Sequence, residues 1–315
     1  MDTITKKSHA KINLTLDILG KRPDGYHELS SVMQSISLYD VIEIRKEPNR
    51  AAKKDNEQEP NKSIKTTPII KLTTTNPELP TDESNLVYQA ADLLLNSQAT
   101  KGQAKNQKIS IHIKKYIPLS AGLAGGSSNC AATLLGINEL LNLKIPQEQL
   151  LKIGRKLGAD VPFCLMANQE SGAGTARAEG IGEQLTPLPP HPPVSIVLAR
   201  LPLLVSTKEV FAKYSGAIRS ENQTPDMVRA LATGDINKVA DNLANDLTPI
   251  ATGIYPEILN LITALREQKA LGVNMTGSGP TVFAYFETDA AALAAIKFVG
   301  ERFLNCEMFC AQPKI

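Results

Sequence analysis

Between the alternating stretch Ile109, Ile111, Ile113 and a long run that opens near Ser127 lies Ile117-Pro118-Leu119-Ser120-Ala121-Gly122-Leu123-Ala124-Gly125-Gly126-Ser127-Ser128-Asn129. The alternation reads as a strand, and Ser127–Leu143 reads as a helix. The chain must therefore pass from one to the other through a glycine-rich segment. Glycine lets the backbone approach an anion closely, and a helix start offers unpaired amide donors and the positive end of its dipole. Two serines at that start can cap the helix, bond phosphate oxygens or ligate Mg²⁺. Phosphate is the ligand such a segment favours. It is neither GxxxxGK[ST] nor GxGxxG, and no lysine follows the glycines, so neither a P-loop nor a Rossmann site is the first choice. The bland alternative is a tight turn ahead of a capped helix.

Three further features carry chemistry only in company. Met275-Thr276-Gly277-Ser278-Gly279-Pro280 joins two predicted strands and by itself would be a hairpin turn. Asp160 stands in Leu157-Gly158-Ala159-Asp160-Val161-Pro162-Phe163, on a turn after a helix. Phosphoryl transfer needs a positioned hydroxyl, neutralised phosphoryl oxygens and often a carboxylate to take the proton. Asp160 suits that role, although a turn aspartate usually bonds backbone amides instead. Lys11 shares a strand parity with Asn13, where a lysine is normally a solvated-face residue. Beside a carboxylate, its charge would lower that group's pKa and favour the developing negative charge.

Strands are predicted at Ile12–Ile18, at a pair Ser30–Leu38 and Val41–Arg45, and at Ile109–Ile113, Val194–Ala199, Thr281–Phe286 and Cys306–Ala311. Helices are predicted over Asn85–Leu95 with Ser84 as N-cap, from Pro146 to Leu157, over Ile254–Gln268 and over Ala290–Phe298. They intermix without a regular βαβ beat, so the fold class is α+β. Residues 46–68 hold interleaved charge, three prolines and almost nothing apolar, which reads as a solvated insertion between strands. At 315 residues the chain accommodates two domains, taken as 1–169 and 170–315. A net charge of +2 creates no field that would call for nucleic acid or a membrane. Cys130, Cys164, Cys306 and Cys310 form no CxxC pair and read as reduced thiols. With no signal-peptide pattern at the N-terminus and no long apolar run, the expected location is the cytoplasm.

SHAKINLTLDILGKRPDGYHEL, PLSAGLAGGSSNCAATL, LGADVPF and MTGSGPTVFAYF, in that order and spacing, resemble the galactokinase–homoserine kinase–mevalonate kinase–phosphomevalonate kinase (GHMP) superfamily. AKINLTLDILGKRPDGYHEL is similar to its branch that acts on a cytidine diphosphate-linked methylerythritol. The resemblance runs from about residue 8 to 287, with no support from 46–68. It implies a two-lobed α+β fold with the active site in the inter-lobe cleft, ATP and Mg²⁺, a small-molecule acceptor on the non-mevalonate isoprenoid route, and a monomer or weak homodimer. Asp160 matches the base and Lys11 its partner. Pro118, Ala121, Gly122, Leu123, Ala124, Gly125, Gly126, Ser127, Ser128 and Asn129 would wrap the ATP phosphates, while Asn85, Leu86 and Lys115 match the adenine pocket. Asn13, Tyr26, His27, Phe211, Thr276, Gly277 and Ser278 match acceptor contacts, with the aromatic rings against the cytosine. No protein ligand of the metal is assigned, and His9, His112 and His191 have no motif behind them.

Two departures from the family pattern stand out. Ala124 replaces a usual glycine, which is tolerable if its backbone stays out of the left-handed region. The stretch Gln169–Gly182 lacks part of the usual GGTA wording but keeps its ending in Gly180-Ile181-Gly182-Glu183. Competing readings are another kinase of the superfamily, of homoserine or mevalonate type, and an inactive nucleotide-binding relative. The first would not need Tyr26, His27 and Phe211, and the second would require loss of Asp160 or the loop.

Overall fold

The computed structural model describes residues 2–47, 69–97, 108–169, 172–214 and 222–314. In chain order its elements are β1 (Thr3–Lys21), β2 (His27–Glu47), β3 (Ile69–Thr74), α1 (Leu86–Leu95), β4 (Lys108–Lys114), α2 (Gly125–Leu140), α3 (Gln147–Leu157) and α4 (Val161–Ala167). There follow β5 (Thr175–Gly180), β6 (Gln184–Pro187), β7 (Ser195–Arg200), α5 (Thr207–Ala212), α6 (Thr224–Thr233), α7 (Ile236–Asp241) and β8 (Ala244–Asn245). The chain closes with α8 (Thr248–Ile254), α9 (Pro256–Glu267), β9 (Gly272–Met275), β10 (Thr281–Phe286), α10 (Asp289–Arg302) and β11 (Glu307–Ala311). The class is α+β, as expected.

The chain forms two compact units. One comprises Met1–Ser8, Asp40–Tyr116 and Gly126–Gln169; the other comprises His9–Tyr39, Ile117–Gly125 and Glu170–Ile315. In the first unit β4 runs parallel to β3 and antiparallel to the second half of β2, with Val41 opposite Lys114 and Glu47 opposite Lys108. Ile109, Ile111 and Ile113 turn inward, as the period of two requires. Helix α2 buries small residues, Ala131, Ala132 and Gly136 among them. A Cβ at Gly136 would sit 2.5 Å from Ile44 Cδ1, so glycine is what lets the helix press onto its strand here.

In the second unit β7, β10, β9 and β11 form an antiparallel sheet in the order β11-β7-β10-β9, with β10 buried throughout. Helices α9 and α10 supply Ile258, Leu261, Leu265, Ala292 and Val299 to one apolar core. A second core gathers Ile12, Leu14, Ile196, Leu198 and Phe283, with Ile117, Ala121 and Leu123 of the glycine-rich segment.

Several expectations need correction. The predicted pair Ser30–Leu38 and Val41–Arg45 is one continuous strand, because Asp40, a residue that could start a turn, is instead hydrogen-bonded inside the fold. Lys46 and Glu47 finish that strand; the rest of the predicted insertion, 48–68, lies outside the described residues. Helix α1 is capped by Asn85, whose side chain accepts from Val87 N, whereas Ser84 bonds Asp82. Helix α2 starts two residues earlier than predicted and stops at Leu140, and Tyr255 separates α9 from α8. Ala124 has φ +54°, inside the left-handed region it was expected to avoid.

Candidate active site

Strand β1 places Lys11 and Asn13 on one face, two residues apart. That face is not solvated: Lys11 is only 4% exposed and Asn13 is buried. The Lys11 ammonium donates to Asn13 Oδ1 at 2.7 Å, and Asn13 Nδ2 donates to Ser31 Oγ at 2.9 Å. Asn13 N donates to Thr276 Oγ1 at 3.1 Å, and Lys11 N to Leu123 O at 3.1 Å. The two glycine sites thereby meet inside the second unit. A Cβ at Gly122 would lie 2.6 Å from Thr276 O, and Gly122 also has φ +72°, so both space and backbone demand glycine there. Gly277 holds φ +59° on the other side of this approach.

Sequence reasoning did not find what holds the Thr276–Gly279 turn in place. Asn245, in β8, donates through Nδ2 to Met275 O at 2.8 Å and Gly277 O at 2.9 Å, while its Oδ1 accepts from Leu247 N. Thr207 Oγ1 and Ser278 Oγ lie 2.7 Å apart. Asn245 is separated from the turn by about thirty residues of other structure, so no local motif marks it.

The aromatic residues also assemble within the second unit. The His27 ring lies 5.3 Å from Phe211, tilted by 37°, and 6.2 Å from Tyr214, edge-on. Tyr214 was not anticipated. Burial, with the Lys21 charge nearby, lowers the His27 pKa, which favours the neutral imidazole. Tyr26 next to it is 61% exposed, a large ring open to a partner.

In the first unit, Asp160 stands at the N-cap of α4 with helical backbone angles, and its carboxylate makes no cap hydrogen bond. Asp160 is half-buried, neither sealed in packing nor wholly in water. A Cβ on Gly158 would sit 3.8 Å from Ser127 Oγ, so the turn that carries Asp160 lies against the first turn of α2. Gly126 is exposed there, and a Cβ on it would meet Leu86 Cδ1 at 3.6 Å, which puts the start of α1 beside the same turn.

Not every residue expected at a phosphate or a base offers its side chain to a ligand. Ala121 and Leu123 point into the core. Asn85 Nδ2 donates to Pro80 O while its Oδ1 caps α1. Ser128 is buried, bonded by Ser8 at 2.9 Å and Asn168 at 3.0 Å. The Lys115 ammonium lies 2.6 Å from Asp40, and burial lowers its pKa more than Asp40 raises it. Asn129 donates to Asp40 and to Ser8, each at 2.8 Å. Gly125, Gly126 and Ser127 are the members of the helix start that remain partly or wholly exposed. Among the described residues no group of three His, Cys, Asp or Glu is placed to hold a metal ion, and no helix is long and apolar enough to cross a membrane.

Comparison with known proteins gives a consistent result. The GHMP kinases N terminal domain matches residues 85–168, and the GHMP kinases C terminal domain matches residues 227–305. A 4-diphosphocytidyl-2-C-methyl-D-erythritol kinase of Caldicellulosiruptor saccharolyticus is 41% identical over 290 residues, covering 92% of this chain and 90% of the relative. One of Pelotomaculum thermopropionicum is 42% identical over 281 residues, covering 89% and 88%. Among solved structures, a crystal structure of 4-(cytidine 5'-diphospho)-2C-methyl-D-erythritol kinase aligns with a TM-score of 0.77 at 28% identity, over 99% of this chain and all of that one.

Proposed function

The chain belongs to the 4-diphosphocytidyl-2-C-methyl-D-erythritol kinases of the GHMP superfamily, and from that premise we propose that it moves the γ-phosphoryl group of ATP onto the 2-hydroxyl of this cytidine diphosphate-linked methylerythritol, a step of the non-mevalonate route to isoprenoids. The observation that carries the reading is the junction of Lys11, Asn13, Gly122 and Thr276, four residues from three separate motifs joined by hydrogen bonds and close backbone approach in one unit.

In this reading Asp160 accepts the acceptor's hydroxyl proton as the oxygen bonds the γ-phosphorus and ADP departs with the electrons of the broken P–O bond. Support comes from the Asp160 turn lying against the first turn of α2, where Gly158 approaches Ser127. Lys11 offsets charge on the acceptor oxygen, held in place by Asn13. Gly122, Gly125, Gly126 and Ser127 receive the phosphates at the start of α2, and Leu86 borders the adenine. Thr276, Gly277 and Ser278 face the acceptor's diphosphate. His27, Tyr26 and Phe211 enclose its cytosine, which a neutral His27 can stack against. Mg²⁺ takes most of its ligands from phosphate oxygens and water and needs only one or two from protein. The Ser127 hydroxyl, in the first turn of α2, is an oxygen donor that fits. When bound, the ion neutralises phosphate charge. Both substrates are highly charged and do not cross membranes unaided, which supports a cytoplasmic location.

The test is ADP release measured across acceptors. Turnover is expected with the cytidine compound and not with homoserine or mevalonate; an equal response to either of those would sink the assignment. Asp160→Asn, which keeps shape and removes the proton acceptor, is expected to lower kcat by about two to four powers of ten. Near-normal turnover in that variant would remove Asp160 from the chemistry.

A further inference from the structure

Asp40, at the centre of the long strand β2, is completely buried and carries no motif. Its Oδ2 accepts from Lys115 Nζ at 2.6 Å and Asn129 Nδ2 at 2.8 Å, and its Oδ1 accepts from Tyr116 N at 2.6 Å. Lys115 and Tyr116 are the last residues before the glycine-rich segment, and Asn129 lies in the helix that ends it. One carboxylate thus gathers both stems of the loop. The bonds continue from Asn129 to Ser8, from Ser8 to Ser128, and from Asn168 to Ser128, so that β1, the first turns of α2 and the end of α4 share one network.

We infer that Asp40 is a positioning residue for ATP: it sets the separation of the two loop stems and thereby the aim of the amides at the start of α2. This deepens the proposed reading and rests on it, because the loop must be the ATP site for its stems to matter there. The physical basis is that a buried carboxylate with three short charge-assisted bonds has one low-energy arrangement of its donors. Hydrogen-bond donors aimed at a phosphate lose their value when displaced by about an ångström. It also gives Lys115 and Asn129 a use that does not require them to touch the nucleotide.

The experiment measures ATP affinity by calorimetry and the separate KM values of ATP and the acceptor. Asp40→Asn is expected to raise the ATP Kd and KM at least tenfold, on the scale of a lost charge-assisted bond, with the acceptor KM within about twofold. Because that variant strands the Lys115 charge and could fail to fold, the pair Asp40→Leu with Lys115→Met is made alongside it. Replacing a buried ion pair by apolar groups of similar size is often neutral for stability. The pair is expected to melt close to the parent temperature and still bind ATP at least tenfold more weakly. Parent-like ATP affinity in the folded double variant overturns the inference. Gly126→Val tests the loop separately by obstructing its open side. If Gly126→Val leaves ATP affinity unchanged, the loop reading falls on its own evidence, whatever Asp40 does.

Discussion

The glycine-rich segment is held by two different physical means at its stems and at its tip. At the stems, a buried ion pair and its hydrogen bonds fix Lys115, Tyr116 and Asn129 on Asp40. At the tip, no charge is involved: Gly122 is held because its missing side chain lets Thr276 O approach where a methyl would intrude. At the stems, loss of one charge partner is the change expected to do harm. At the tip, one carbon added at Gly122 is the change expected to do harm. Stiffness in a glycine-rich loop can therefore come from electrostatics or from exclusion, and each fails in its own way.

The sharpest way to break the contrast is at the tip. Gly122→Ala puts a Cβ 2.6 Å from a backbone oxygen that cannot swing away, at φ +72°. Left-handed strain and overpacking together are expected to cost about 3 kcal/mol of unfolding free energy, and ATP affinity should fall with it. Urea unfolding checks the first effect and calorimetry the second; a loss below about 1 kcal/mol would mean that the tip is not held by exclusion.

A buried polar pair in the second unit shows what happens when no opposite charge is supplied. Tyr285 OH lies 3.0 Å from His191 Nε2, and His191 Nδ1 lies 2.6 Å from Pro192 O. The carbonyl fixes the proton on Nδ1, so Nε2 accepts from the phenol, whose proton burial retains. Burial pushes the His191 pKa down to about 4, from an ordinary 6.5. The unfolded chain binds the extra proton first as pH falls, so this stability is complete above the unfolded value and is lost on the way down to the folded one. By pH 5 the loss is expected to be about 2 kcal/mol. His191→Gln, which can still accept from Tyr285, should flatten the unfolding free energy between pH 7 and pH 5. An unchanged slope would assign the acid sensitivity elsewhere.

What could be read in the sequence follows from the range of the interactions. Strand β10 was legible to the residue, and β4 nearly so, because alternation is local and both strands have neighbours that respect it. Lys11 shows the limit of that signal. Period two says that a strand has two faces, but in β1 both faces are covered from Ala10 to Ile18, so the polar parity is buried rather than solvated. The break expected after Leu38 and the use of Asp40 were illegible for one reason: the groups that hold Asp40 extended stand some 75 and 90 positions away. Asp160 was placed on a turn correctly, while the short helix behind it, buried on every side, gave no periodic pattern to read. The glycine motifs were visible as words, but their contact at Gly122 and Thr276 joins positions about 150 apart and belongs to the fold. His27 and Phe211 were paired only through the family resemblance, and Tyr214 had no such guide.

The smallest effect tests the tip from the opposite direction. Ala124 lies two positions from Gly122 and shares its left-handed backbone, at φ +54°, yet carries the methyl that Gly122 cannot. A non-glycine residue in that region costs roughly 1 kcal/mol or somewhat more. Glycine would remove this cost but add conformational freedom to the unfolded chain, worth about 0.5–1 kcal/mol in the other direction. Ala124→Gly is thus expected to stabilise by about 0.5 kcal/mol at most, a rise in Tm of one or two degrees, with ATP affinity unchanged. A drop in Tm would show that the methyl contributes packing exceeding its backbone strain. The tip would then be held by contact at Ala124 as well as by exclusion at Gly122, and one alanine would be the better residue for this loop than the glycine it replaces.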